Sequence, residues 1–63
     1  MTTIYEYRKL GPYDDYEMIR DGVKEQLDNY TQVIELLGTA LFLGKTVERT
    51  DFDSNNMTVW VIK

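Results

Sequence analysis

The stretch DDYEMIRDGVKEQLDNYTQVIELLGTALFLG, residues 14–44, decides how this 63-residue chain folds. Within it Tyr16, Val23, Tyr30 and Leu37 fall seven apart, as do Leu27, Ile34 and Leu41, and Ile19, Val33 and Ala40 fill the gaps. Together they make one apolar stripe of helical period. An unbroken helix over 15–43 would be roughly 43 Å long at about 1.5 Å per residue, too long for so small a domain. Two interruptions suggest themselves. Asp28-Asn29 can end one element and cap the next, because Gln32 follows Asn29 at capping-box spacing. Gly38 or Gly44 can supply the C-terminal stop. The spacing predicts one main helix from about 14 to 37, with Asp14 or Asp15 at its N-cap and breaks near 28–29 or 38 as the alternative.

Outward from this stretch the period changes. Residues 3–10 alternate β-branched and aromatic side chains and read as a strand, ended by Gly11-Pro12. Lys45–Phe52 and Met57–Lys63 read as two further strands joined by Asp53-Ser54-Asn55-Asn56, residues whose short polar side chains suit a turn. A four-residue loop pairs Phe52 with Met57, Thr50 with Val59 and Glu48 with Val61 on one face, and Arg49 with Trp60 and Val47 with Ile62 on the other. The expectation is a single α+β domain over 1–63, in the order β-α-β-β, with a three-stranded sheet packed on one main helix and the strand order open.

Composition limits the chemistry. The chain has no histidine and no cysteine. Imidazole, the usual general base near neutral pH, is therefore missing, and so are thiol nucleophiles, disulfides and thiolate metal ligands. The one serine, Ser54, sits in a turn with no base placed for it. Gly38 and Gly44-Lys45-Thr46 have five residues between the glycines where a P-loop has four, and no strand precedes them. Asp51-Phe52-Asp53-Ser54-Asn55 imitates the start of a calcium loop, but the glycine and the glutamate such a loop needs are here Asn56 and Ile62. These residues predict a protein that is not an enzyme and takes no metal or cofactor.

The expected function is contact. A chain of this length buries only about 60% of its unfolded surface, and association is the supplement left to it. Its 43% hydrophobic content and eight aromatic residues are too rich for a disordered chain. No apolar run approaches the roughly 18 residues of a membrane span, and the start Met1-Thr2-Thr3-Ile4-Tyr5 has no secretory character, so the expected setting is cytoplasmic, or the host cytoplasm for a phage-encoded chain.

Two surfaces stand out. The net charge is −4, but residues 14–35 carry seven acids against Arg20 and Lys24, while the remainder carries four acids against five bases. On a helix, Asp14, Glu17, Asp21, Glu25, Asp28 and Glu35 would form an acidic ridge, able to stand in for phosphates in a cationic groove. The like-charge pairs Glu17–Asp21 and Asp21–Glu25 would each cost that helix a few tenths of a kcal/mol. The second surface is the sheet. The first and last strands are apolar on both faces, so Tyr5, Tyr7, Arg49, Trp60 and Ile62 are candidates for a partner-binding or dimer face.

The profile fits a small acidic inhibitor or modulator of the phage type, docking on a larger basic, nucleic-acid-processing protein by nucleic-acid mimicry. The alternative is a self-assembling, homodimeric scaffold. A third reading, a small RNA-binding sheet using Tyr5, Tyr7, Arg8 and Lys9, runs against the acidic balance.

Overall fold

In the computed structural model, which describes residues 1–63, the chain is α+β, with one helix and five strands. The strands are β1 (Thr2–Tyr7), β2 (Asp15–Arg20), β3 (Val23–Leu27), β4 (Val47–Phe52) and β5 (Met57–Ile62), and α1 spans Tyr30–Phe42. They form one antiparallel sheet in the order β3-β2-β1-β5-β4, with β1 at the centre.

Two expectations are corrected by this topology. The sheet has five strands, not three, and residues 14–37 do not form a helix. Their first half is the β2–β3 hairpin. Asp21 and Gly22 take φ values of 51° and 79°, and two consecutive positive φ angles suit the two-residue turn whose twist matches antiparallel strands. Gly22 adopts this freely and aspartate tolerates it better than most residues. In β2 the buried Tyr16 and Met18 alternate with Glu17 and Ile19, a period of two. The hairpin also removes the repulsion a helix would carry, because Glu17 and Glu25 project from opposite faces of the sheet and Asp21 sits at the tip.

The helix begins at the break near residue 29. Asn29 Oδ1 accepts from the Gln32 amide at 3.2 Å, and Gln32 Oε1 accepts in return from the Asp28 amide at 2.6 Å. One orphan amide of the first turn and the amide just before the cap are thus satisfied in a reciprocal pair of bonds. The stop is Gly44, with φ 78°. Its amide donates to the Leu41 carbonyl at 3.0 Å and that of Lys45 to Ala40 at 2.9 Å, the paired bonds of a glycine-terminated helix.

The β4–β5 hairpin has the expected register at every pair, Phe52–Met57 through Val47–Ile62, closed by a short 3-10 turn and Asn56 at φ 48°. β1 ends at Tyr7, so Arg8 to Leu10 lie outside the strand expected over 3–10.

One face of the sheet holds the core. Ile4 pairs with both Met18 and Trp60, and these three meet Val33 and Ala40 of α1, with Tyr16, Leu27 and Ile62 around them. The helix connects the end of β3 to the start of β4 and so crosses this face from one edge strand to the other. Only nine residues of 63 are buried, which leaves little core to hold the fold.

Candidate interaction surface

Alternation along the strands assigns every side chain to the helix side or to the open side. The register places Tyr5, Tyr7, Ile19, Phe52, Val59 and Val61 on the open side, with Met57 beside them. No part of the chain covers them. Tyr5 and Tyr7 stack at 6.3 Å between ring centroids with planes 16° apart, and Tyr7 and Phe52 are 38% and 40% exposed. Charge enters this face on one side and borders it on the other. Asp15 and Glu17 of β2 lie beside Tyr7 and Tyr5, with Lys24 of β3 pairing with Glu17 at 3.3 Å, and Lys63 pairs with Glu48 at 3.0 Å on the β4 side. Such exposed pairs add little stability, but they fix where charge lies around the face.

The five residues expected to share a sheet surface are divided between its two sides. Tyr5 and Tyr7 belong to the open face. Trp60 and Ile62 are core residues, 5% and 6% exposed, because they share the parity of Ile4 and lie under α1. Arg49 is on the helix side too, its guanidinium 5.7 Å from the Trp60 ring centroid, a cation over the indole. Beside it the buried Thr58 hydroxyl donates to Asp51 Oδ1 at 2.6 Å. That bond, with Arg49 nearby, holds the Asp51 carboxyl below the usual carboxylate range.

The acidic ridge is likewise dispersed. Glu17 lies on the open face, Glu25 on the helix face beside Arg20 at 3.9 Å, Asp21 in the β2–β3 turn, Asp14 and Asp28 in loops, and Glu35 alone on α1. The fold gathers a different set of acids. Glu6, Asp14, Asp15, Asp28, Asp51 and Asp53 collect at the end of the sheet where β1 and β3 finish and β2 begins, against Arg8, Lys9 and Arg49, which pairs with Asp51 at 3.4 Å. Six acids against three bases put −3 of the net charge of −4 at this loop end.

Crowding there has titration consequences. Burial, then the nearby Asp14, raises the Glu6 pKa, while a hydrogen bond with the Tyr16 phenol acts the other way. Tyr16, buried and covered by Tyr30 at 5.8 Å, is pushed up to about 12 by burial and by Glu6. Because the folded chain holds the Glu6 proton more tightly than the unfolded one, the associated stability is present below the unfolded pKa and is lost as pH rises through the folded value. Glu6→Gln is therefore expected to stabilise the fold at pH 7 and to leave it little changed at pH 4. Urea melts at both pH values check this, and equal midpoints for variant and parent at pH 7 would contradict it.

Between α1 and the β2–β3 hairpin lies a crevice of about 470 Å³. Met18, Leu27, Leu36 and Ala40 form its floor, and Arg20, Glu25, Glu35 and Lys45 stand at its rim with opposite signs interspersed. The helix also exposes Leu41 and Phe42 at its last turn. No helix is long and apolar enough to cross a membrane. Comparison with known protein families, with curated proteins and with solved structures finds no match to this chain.

Proposed function

We propose that this chain is a non-enzymatic module acting by protein–protein contact, an acidic inhibitor or modulator of the phage type that docks on a larger basic, nucleic-acid-processing protein. The observation that carries this reading is the concentration of most of the net charge, −3 of −4, at the loop end. Carboxylates of Asp14, Asp28 and Asp53 stand there on short loops anchored to the sheet, so they present negative charge from a fixed frame as phosphates do. A localised field of one sign steers encounter with a surface of the other and speeds association at low salt. The mimicry thus rests on loop carboxylates and not on a helical ridge.

A photo-crosslinking residue at Asn55, in the turn at this end, tests the reading in cells that express the chain. The adduct is expected on a basic, nucleic-acid-binding protein. The triple variant D14K/D28K/D53K should lose it, and in vitro should associate with the captured partner at least about tenfold more slowly at low salt. An adduct undiminished by the triple reversal would contradict the proposal.

The second reading, self-assembly, is favoured by the uncovered sheet face, since exposed apolar patches of this extent mark contact sites. The RNA-binding reading finds less support. The open face has Tyr5 and Tyr7, but its cations Lys24 and Lys63 are each paired with a glutamate.

A further inference from the structure

We infer that the crevice between α1 and the β2–β3 hairpin is a binding site for a small amphipathic anion, a medium-chain carboxylate whose alkyl chain lies on the crevice floor and whose headgroup meets Lys45. The inference goes beyond the contact reading and uses none of the acidic end.

The crevice follows from the path of the helix. α1 starts where β3 ends and finishes where β4 starts, so it leaves the corner of the sheet at the β2–β3 turn uncovered. Val23, Glu25 and Leu27 share the helix side of β3, yet only Leu27 is buried, and Val23 is 65% exposed. The gap left at this corner is the crevice of about 470 Å³, within the range of about 300–1,000 Å³ usual for small-molecule sites.

Register gives its length. Thr2, Arg20 and Ile62 stand at one level of the sheet, and Leu27 stands four residues along, level with Glu6 and Tyr16. Four residues at about 3.4 Å each make a run of roughly 14 Å, enough for an extended medium-length alkyl chain. Met18, Leu27, Leu36 and Ala40 make that run apolar.

Charge gives the crevice a direction. Six of the seven lysine and arginine side chains are paired with a carboxylate, and Lys45 is the exception. The backbone bonds exchanged by Thr46 and Lys63 set Lys45 beside the end of β5, at the same end of the crevice as Arg20. Arg20 is loosely held, 3.9 Å from Glu25, with both side chains more than half exposed. Leu27 and Gln32 close the other end without a charge. Glu25, level with Met18, and Glu35, in the second turn of α1, oppose an anion at mid-length and so confine the headgroup to the Lys45 end. The helix C-terminus would oppose it too, but the carbonyls of Thr39, Ala40 and Leu41 already accept from the amides of Leu43, Lys45 and Gly44. The acidic loop end is a strand's length away, about 20 Å, beyond the Debye length of about 8 Å at physiological salt. A cationic amphiphile would be repelled by Lys45 and a neutral one would leave it unpaired, so charge selects the anion.

Amide chemical-shift titration of the isotope-labelled chain with decanoate, kept below its micelle-forming concentration, tests the inference. Saturable shifts are expected at Met18, Leu27, Leu36 and Ala40. Lys45 and Glu35 are exposed, so their variants should keep the parent's fold. K45E should bind decanoate at least about threefold more weakly, and E35Q, which removes an opposing carboxylate, should bind it more tightly. T39W places an indole in the crevice from an exposed position on α1 and should abolish the shifts. Decyltrimethylammonium, with the same chain and the opposite charge, should bind at least about threefold more weakly than decanoate. Phosphatidylglycerol vesicles offer the same chemistry as a surface and should leave the spectrum unchanged, because the site is recessed between two walls. Shifts confined to the exposed Leu41–Leu43, equal affinity for the two amphiphiles, or a response to vesicles with none to decanoate would overturn the inference. So would the absence of any saturable shift, while the crosslinking test at the acidic end would still decide the contact reading.

Discussion

Trp60→Ala is expected to unfold the chain. The indole lies at the middle of the helix-side face, paired with Ile4 on one side and Arg49 on the other, and only 5% of it is exposed. Removing a buried tryptophan costs about 3–5 kcal/mol, the sum of lost transfer energy and the cavity left behind. A chain of this length has a total stability of only about 3–9 kcal/mol at ordinary values per residue. The nine buried residues offer no reserve from which neighbours could refill the space. Urea melts followed by far-UV circular dichroism should show a variant largely unfolded in water at room temperature. Arg49→Ala is the companion measurement: it removes only the cation above the ring and should cost about 0.5–1 kcal/mol. A Trp60→Ala protein with a cooperative melt near the parent's midpoint would mean that Trp60 is not the centre of the core.

Val59→Asp should separate association from folding. Val59 pairs with Tyr5 and Thr50, at the centre of the open face, one position along the strand from Trp60 and on the opposite side. In a lone chain the new carboxylate reaches water, and the cost is that of placing aspartate in a strand, about 1 kcal/mol or less. In a self-assembled pair that covers this face the new carboxylates would be buried, and each such burial costs several kcal/mol. The expected outcome is at least about 100-fold weaker self-association with a far-UV spectrum and a cooperative melt retained. If Val59→Asp unfolds outright, Val59→Thr, which keeps strand propensity, should still weaken the dimer measurably. Undiminished association in both variants would contradict use of this face.

The contrast between these neighbouring residues shows what can be read from the chain. The register of Lys45–Lys63 is legible because the Asp53–Asn56 turn has a defined length, and a defined turn length sets every cross-strand pair. Legible too is the surplus of apolar side chains, with Val59 and Val61 opposed to Trp60 and Ile62. Which side the helix takes is not, since both sides of β5 are apolar, and sequence alone therefore groups Trp60 with Tyr5 and Tyr7. The β2–β3 hairpin is hidden for a geometric reason. Across a two-residue turn, residues an odd number apart on the two strands share a face, so Tyr16 and Val23, seven apart, lie on one side in a hairpin as they would on a helix. The heptad spacing therefore does not discriminate. The discriminating signals are local: Asp21-Gly22 as a hairpin turn, and Tyr16 and Met18 two apart. The acidic end has no linear signature, because Glu6, Asp28 and Asp53 come together only through the sheet order.

The most direct test of whether the open sheet face works by self-assembly is the solution mass by light scattering across a dilution series. Self-assembly predicts a mass that approaches twice the 7.4 kDa of one chain at the high end and falls to that of one chain on dilution. A mass of one chain at every concentration would contradict it.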